Sequence, residues 1–217
     1  MKVGDPFRDA MAFTLRQEGG WSDNPNDPGQ ATMCGVTLAV FRAWRHDPGA
    51  DSNVLRAISA SEVQAIYQGL YWNPIHGFSL PLGVGLAVFD AAVNLGVRRA
   101  AILLQSTLGV TQDGAIGPET LRTASQGTPA ILLKGLTSRR EAFYRACEGF
   151  PIFGRGWLSR NSACFAAACR AAQISLPGRQ GVFGPSAKSR EVPSTESLNA
   201  QELASLSESG SRPLSSG

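Results

Sequence analysis

The residue best suited to chemistry is Glu18, which stands in the last turn of an N-terminal helix pattern. The end of a helix carries partial negative charge and favours Lys or Arg, so an acidic residue there breaks a local rule. The helix dipole disfavours the ionised carboxylate by roughly 0.3–1 kcal/mol, and partial burial beside Trp21 would act in the same direction. We therefore predict a carboxyl group that holds its proton near neutral pH, as general-acid cleavage of a glycosidic bond requires. The alternative is a solvated glutamate at a frayed helix end.

A second carboxylate, Asp27, follows Glu18 after nine positions, within a stretch rich in Asn, Asp, Pro and Gly. Inverting glycosidases hold two carboxyl groups roughly 6.5–9.5 Å apart, with a water molecule between them. A loop that folds back toward the helix end would bring Asp27 to that separation, and Thr32 would then help to hold the water. Taken alone, the segment Asp27–Gly29 indicates only a turn.

The helix that must position Glu18 is strongly indicated by its ends. Asp5 is a good N-cap, Pro6 suits the first helical position, and the apolar residues that follow share one helix face. A Gly-Gly pair after Glu18 ends the helix. The stretch 21–35 resists both helix and long strand, so we expect a structured loop or a small hairpin there.

Helical patterns dominate the rest of the chain up to about residue 172, and no β-rich region competes with them. Helix starts are marked by capping residues and by prolines at first-turn positions. We predict helices over the following ranges: 37–44, 59–70, 86–95, 98–108, a short one beginning at 118, 128–148 and 156–172. The predicted fold is therefore mainly α.

Composition limits the class of protein. The chain has 217 residues, 43 % of them hydrophobic, which is enough for one globular domain and a tail. No run of eighteen apolar residues is present, which argues against stable membrane insertion. The first residues lack the apolar core of a secretory signal, so we expect none. The net charge of +3 comes from scattered basic residues, which argues against a nucleic-acid partner.

The cysteines and histidines do not indicate a metal site, and nothing in the sequence indicates a cofactor. The four cysteines include no CxxC pair and only two histidines are present, so zinc-ligand spacing is missing. We expect free, mostly buried thiols in a protein made in a reducing compartment. The last segment is rich in serine and poor in apolar residues, so we predict a disordered tail over 173–217 whose role stays open.

Five ordered motifs resemble those of glycoside hydrolase family 108, a family of N-acetylmuramidases from bacteria and phages. The first motif joins Glu18 and its Gly-Gly-Trp continuation to Asp27, Thr32 and Gly35. The others are an aromatic pair at 71–72, an Asp/Asn helix at 89–96, a Gln and Asp-Gly segment at 104–121, and a Gly-Trp segment at 156–160. The resemblance covers about residues 7–170 and implies a lysozyme-like helical domain.

The resemblance also implies the activity and the division of the chain. It implies cleavage of peptidoglycan after N-acetylmuramic acid, with Glu18 as the acid. The order Glu, Asp, Thr is similar to that of phage-type lysozymes, in which the threonine usually stands one position later than Thr32. By the same resemblance, 1–96 is the catalytic region and 97–172 is a peptidoglycan-binding-like helical region packed on it.

Five further residues are candidates for contact with substrate. Trp21, Tyr71 and Trp72 could stack on sugar faces or could equally fill the core. Asp90 and Asn94 lie one turn apart on an otherwise apolar helix, where polar groups either contact substrate or form structural hydrogen bonds.

The leading prediction is a muramidase that hydrolyses the β-1,4 bond between N-acetylmuramic acid and N-acetylglucosamine, as a phage or prophage endolysin. Asp27 would stabilise oxocarbenium charge or activate the water. The alternatives are a lytic transglycosylase, which uses one glutamate and no water, and a non-catalytic wall-binding or secretion-accessory module. We expect bacterial peptidoglycan as the partner and a monomeric protein. We also expect synthesis in the bacterial or host cytoplasm, release through a holin, and action on the wall in the periplasm.

Overall fold

The computed structural model describes residues 4–23 and 31–175. Within these ranges the protein is mainly helical, as predicted, and has one small antiparallel sheet. None of the described helices is long and apolar enough to cross a membrane. The predicted tail, 173–217, lies outside the described residues except for its first three positions.

Helix α1, Pro6–Glu18, begins and ends where the sequence predicts. The side chain of Asp5 accepts hydrogen bonds from backbone amides of the first turn, at 3.0 Å for Phe7. These amides have no partner within the helix, so the cap stabilises its start. Gly19 follows with a φ of 72°, a conformation that glycine adopts without steric cost. Glu18 is therefore the last helical residue.

The predicted loop or small hairpin is a three-stranded antiparallel sheet. Its strands, in chain order, are β1 Trp21–Ser22, β2 Thr32–Met33 and β3 Val36–Thr37. Met33 lies opposite Val36, so the turn between β2 and β3 consists of two residues. These are Cys34 and Gly35, whose positive φ values of 51° and 76° are those of a type I′ turn. The amide of Cys34 donates to the carbonyl of Gly20 at 3.3 Å, which ties the turn to the end of α1.

Helices form the rest of the described chain. They are α2 Leu38–Arg45, α3 Ser52–Arg56, α4 Ala60–Tyr67, α5 Val84–Leu95, α6 Val97–Leu108, α7 Pro118–Gln126, α8 Pro129–Ala146 and α9 Phe150–Ala171. A π-helical turn, Gln68–Trp72, continues α4, and a 3₁₀ turn, Gly77–Ser79, precedes α5. Thr37 and Ser59 cap α2 and α4 as predicted, each accepting a hydrogen bond from a first-turn amide.

The start of one helix was predicted wrongly, and one short helix was missed. Helix α9 begins at Phe150 rather than at 156, because Pro151 fits the first turn, where its missing amide costs no hydrogen bond. Gly154 then lies so close to Phe150 that any side chain there would overlap the ring. Helix α3 was not predicted, although Asp51 caps it by accepting from the amide of Val54 at 2.9 Å.

Helix α5 lies at the centre of the fold. Ten of its 12 residues are buried, and α1, α6, α8 and α9 pack around it. Because α9 also contacts α1, the C-terminal helices contribute to the same apolar core as the N-terminal helix. The division into regions at 1–96 and 97–172 stays a prediction.

Candidate active site

The carboxylate of Glu18 is enclosed by protein at the end of α1. Its side chain is 4 % exposed, and Oε1 accepts a hydrogen bond from Nη2 of Arg160 at 2.6 Å. Arg160 belongs to α9 and stands 142 positions away along the chain. Glu18 is therefore not a solvated residue at a frayed helix end. The sequence-based reasoning counted only groups that disfavour a charged carboxylate, and Arg160, which favours one, was missing from it.

The turn between β2 and β3 packs directly against Glu18. A Cβ atom added to Gly35 would lie 3.1 Å from Cβ and Cγ of Glu18, and it would overlap the hydroxyl of Tyr67. That hydroxyl donates a hydrogen bond to the carbonyl of Cys34 at 2.9 Å, so Tyr67 fixes the turn from the side of α4. The close approach and the positive φ together require glycine at position 35. The turn forms one wall of the site.

Two tyrosines form a second wall. The ring centroids of Tyr67 and Tyr71 are 5.6 Å apart. Burial raises the pKa of both hydroxyls, and the negative charge of Glu18 raises it further. Tyr67 is buried, whereas Tyr71 is half-buried. Tyr71 therefore packs beside Tyr67, whose hydroxyl lies against the turn next to Glu18.

Arg160 is held on its other side by Asp90, a fully buried residue of α5. Nη2 of Arg160 donates to Oδ1 of Asp90 at 2.9 Å, and Nε donates to the same oxygen at 3.2 Å. Arg140, from α8, donates from Nη1 to Oδ2 of Asp90 at 2.7 Å. Two carboxylates and two guanidinium groups thus form a continuous buried network that joins α1, α5, α8 and α9.

Asp90 and its two arginines are ionised at neutral pH. Burial by itself would raise the pKa of Asp90, but the guanidinium groups of Arg160 and Arg140 hold it at about 2. Burial would likewise lower the pKa of each arginine. Asp90 and Glu18 instead raise the pKa of Arg160, and Tyr144 and Asp90 raise that of Arg140. The charges of Asp90, Arg140 and Arg160 are therefore permanent over the pH range in which proteins work.

The structure favours the structural alternative for both Asp90 and Asn94 over contact with substrate. Oδ1 of Asn94 accepts from Nη2 of Arg140 at 3.3 Å and from the hydroxyl of Tyr144. Asp90 also accepts from the hydroxyl of Thr14 at 3.3 Å. Because Asp90 is 0 % and Asn94 7 % exposed, their polar atoms are satisfied by protein rather than offered to a ligand.

Trp72, which the sequence left open between sugar stacking and core filling, lies in the core. Its ring is 1 % exposed and packs against the rings of Phe7, Phe78 and Phe89. This burial leaves neither face of the indole for a sugar, so the core-filling alternative is the one that the packing favours.

The remaining predicted residues belong to the sheet or to the stretch before it. Trp21 is half-buried in β1, with the guanidinium carbon of Arg56 at 5.3 Å from its ring centroid. Thr32 is half-buried in β2, the central strand. Asp27 lies outside the described residues, so its separation from Glu18 stays a prediction.

Sequence reasoning missed both arginines of the network, although a signal was present. Arg140 lies midway between Leu136 and Tyr144 at steps of four residues, and all three are buried. Arg160 occupies a similar position on the buried face of α9. An arginine on the apolar face of a helix predicts a buried acidic partner, since an unpaired charge there would be strongly destabilising.

The described cysteines are free thiols, as predicted, two of them buried and two half-buried. In the described ranges, no group of three or more His, Cys, Asp or Glu side chains is arranged to hold a metal ion. The described side chains of the site can support proton transfer at the carboxyl group of Glu18, next to the permanently charged guanidinium group of Arg160.

A glutamate at the end of the first helix, enclosed by a short antiparallel sheet within a mainly α fold, defines a lysozyme-like glycoside hydrolase. The chain belongs to glycosyl hydrolase family 108, whose family model matches residues 11–96. The solved structure of Brucella abortus SagA is similar, with 36 % sequence identity and a TM-score of 0.71. The match covers 78 % of this chain and 97 % of that one. No curated protein matches the sequence. Membership of the family confirms the resemblance of the motifs and supports a peptidoglycan hydrolase of the lysozyme-like kind.

Proposed function

We propose that this protein is a muramidase that hydrolyses the β-1,4 bond between N-acetylmuramic acid and N-acetylglucosamine in peptidoglycan. Glu18 is the general acid of the reaction. The placement of this residue carries the proposal: its carboxyl group is enclosed, bound at one oxygen by Arg160, and lies beside a turn that packs against Tyr67, the neighbour of the half-buried Tyr71. A carboxyl group fixed beside accessible aromatic surface is suited to hand a proton to a bound sugar.

The reaction begins with transfer of the proton of Glu18 to the bridging glycosidic oxygen. The bond from this oxygen to the anomeric carbon breaks, its electron pair stays with the oxygen, and oxocarbenium-like charge develops on the sugar. A water molecule then bonds to the anomeric carbon and gives its proton to a carboxylate. We assign to Asp27 either this last role or stabilisation of the developing charge, and to Thr32 the positioning of the water.

Trp21 and Tyr71 are the residues that we propose as sugar contacts. Both residues are half-buried, so each keeps part of its surface exposed. Aromatic side chains offer apolar area that packs against the C–H surfaces of sugar rings, together with a polar edge. We leave Trp72, Asp90 and Asn94 out of this role, because their side chains are engaged by the aromatic core and by the buried arginines.

The replacement Glu18→Gln tests the assignment, because it removes the transferable proton and keeps the size of the side chain. We expect the rate of lysis of outer-membrane-stripped cells, followed by turbidity, to fall at least about 10²-fold. The matched control is Glu148→Gln, at an exposed glutamate, and it should leave the rate unchanged. Wild-type lysis by the Glu18→Gln protein would show that another group donates the proton.

Mass analysis of the released muropeptides separates hydrolysis from its alternatives. Hydrolysis yields reducing N-acetylmuramic acid ends, whereas a lytic transglycosylase yields 1,6-anhydro ends. A wild-type protein that binds purified sacculi and releases no fragments would instead be a wall-binding or secretion-accessory module.

We further infer that the protein acts as a monomeric phage or prophage endolysin that reaches the wall in the periplasm through a holin. The similarity of the order of Glu18, Asp27 and Thr32 to that of phage-type lysozymes supports this setting. The test is expression in a bacterial host with and without a coexpressed holin. Lysis that occurs equally without the holin would contradict this route.

A further inference from the structure

We propose that Arg160 is a positioning residue for the proton transfer: it binds Oε1 of Glu18 so that the transferable proton is carried by Oε2. Asp90 and Arg140 fix Arg160 from the opposite side. This inference rests on the proposed function, because it assigns to Arg160 a part in the same reaction. In a purely structural role, the ion pair would only hold the helices together, and it would not matter which oxygen of Glu18 carries the proton.

The orientation of the guanidinium group is fixed by its bonds to Asp90. Nε and Nη2 of Arg160 both donate to Oδ1 of that carboxylate, at 3.2 Å and 2.9 Å. Two bonds to one side of a planar group prevent its rotation. Nη2 then meets Oε1 of Glu18 at 2.6 Å, so a single nitrogen joins the two carboxylates.

Asp90 is itself held in place by neighbouring helices. Arg140 of α8 binds its Oδ2 at 2.7 Å, and the hydroxyl of Thr14 in α1 donates to its Oδ1 at 3.3 Å. The side chains of Asp90, Arg140 and Arg160 are 0 %, 4 % and 9 % exposed, respectively. Because the network is buried, Arg160 cannot move away from Glu18 without leaving charges unpaired in the core.

The chemistry of a carboxyl group then decides which oxygen carries the proton. A protonated carboxyl group has one carbonyl oxygen, which accepts hydrogen bonds, and one hydroxyl, which donates. A guanidinium group only donates, so the oxygen that faces Arg160 must be the carbonyl oxygen of the acid form. In the acid form of Glu18, the hydroxyl is therefore placed on Oε2 before substrate arrives.

Arg160 also acts on the state that follows proton transfer. As Glu18 loses its proton, its hydrogen bond from Arg160 becomes a contact between two full charges and therefore strengthens. An interaction that strengthens along the reaction raises kcat more than it changes KM. Loss of Arg160 should therefore lower kcat with a smaller effect on KM.

The test compares Arg160→Met with Arg160→Lys in the full chain, with a soluble peptidoglycan oligosaccharide of defined length as substrate. For Arg160→Met we expect kcat to fall at least about tenfold and KM to change less than about threefold. Lysine keeps the charge but not the planar fork, so Arg160→Lys should restore only part of kcat. The matched control is Arg155→Met, at an exposed arginine of the same helix, which should behave as wild type.

Arg160→Gln covers the case in which Arg160→Met fails to fold. Its amide nitrogen can still donate a hydrogen bond, but the side chain carries no charge, so a fall of kcat with little change of KM is again expected. A folded Met or Gln variant with wild-type kcat and KM overturns the proposal. Equal losses of kcat in the uncharged variants and in the Lys variant also overturn it, since they would indicate structural support alone.

The two proposals fail in different ways. If the wild-type protein releases no reducing ends, the proposed function is wrong. If the wild-type protein is active and Glu18→Gln is inactive, but Arg160→Met retains wild-type kinetics, only the positioning role is wrong.

Discussion

Replacing Asp90 by Asn should be among the most destabilising single changes in the protein. Asp90 is fully buried and accepts hydrogen bonds from two guanidinium groups and from Thr14. Asparagine keeps the size of the side chain but replaces one acceptor oxygen by an NH₂ group. That donor would face an N–H of Arg140 or Arg160. The carboxylate of Glu18, which binds Arg160, would then be the only one left in the described network.

The expected loss of unfolding free energy has two parts. Removing one partner of a buried ion pair costs about 3–5 kcal/mol of unfolding free energy. A smaller part depends on pH, because the folded protein lowers the pKa of Asp90 from 3.8 to about 2. At 1.36 kcal/mol per pKa unit, this shift corresponds to about 2 kcal/mol.

The sign of the pH effect follows from the lowered pKa of Asp90. The stabilisation is fully present above the unfolded pKa and is lost as pH falls through the folded pKa. About 1 kcal/mol of it should be gone by about pH 3 in the wild-type protein. The Asn variant has no such group, so the difference in stability between the two proteins should narrow by that amount.

The assay is urea unfolding followed by circular dichroism, near pH 7 and near pH 3. The matched control is Asp9→Asn, at an exposed aspartate of α1, which should change stability by less than about 0.5 kcal/mol. The reasoning is refuted if Asp90→Asn lowers the unfolding free energy near pH 7 by less than about 1 kcal/mol. It is equally refuted if the difference in unfolding free energy between the wild-type protein and Asp90→Asn is larger near pH 3 than near pH 7.

Two further changes test the turn beside Glu18 and the loop that follows α6. Gly35→Ala should abolish most lytic activity, because its Cβ would overlap the hydroxyl of Tyr67. The control is Gly109→Ala, since Gly109 has a similar φ of 70° but open space around an added Cβ. It should cost only about 1–2 kcal/mol of unfolding free energy and leave the rate of lysis in the turbidity assay unchanged. Gln105→Leu should expose the loop that follows α6, because the buried amide of Gln105 binds both backbone and side-chain groups there, including the amide of Gly114 at 3.0 Å. Faster hydrogen exchange at Gly114 is expected, and unchanged protection would contradict the role given to Gln105.

The first helix and its last residue could be predicted from sequence because their determinants are local. Asp5 caps the amides of the next turn, and Gly19 ends the helix through its own backbone conformation. Each effect acts over a few residues, so the sequence suffices to place Glu18 at a helix end. The same holds for the hairpin, because its two turn residues and the strand residues that they join are four consecutive positions of the chain.

The choice between core and contact roles could not be made from sequence. Trp72 and Asp90 have side chains that suit either role, and their burial depends on how α1, α5, α8 and α9 pack. The aromatic ring that remains accessible, that of Tyr71, is adjacent in sequence to one that is not. Local pattern carries no information about which of the two neighbours faces solvent.

The sequence by itself determined most of the helices, a loop or small hairpin after the first of them, and the family, since caps, turns and ordered motifs lie in local stretches of chain. Only the tertiary structure decided what Glu18 touches. Arg160 reaches Glu18 across 142 positions, and it does so because four helices pack around one buried carboxylate. A charge in the core is tolerated only beside its counter-charge, so the packing of the helices and the electrostatics of the site were settled together.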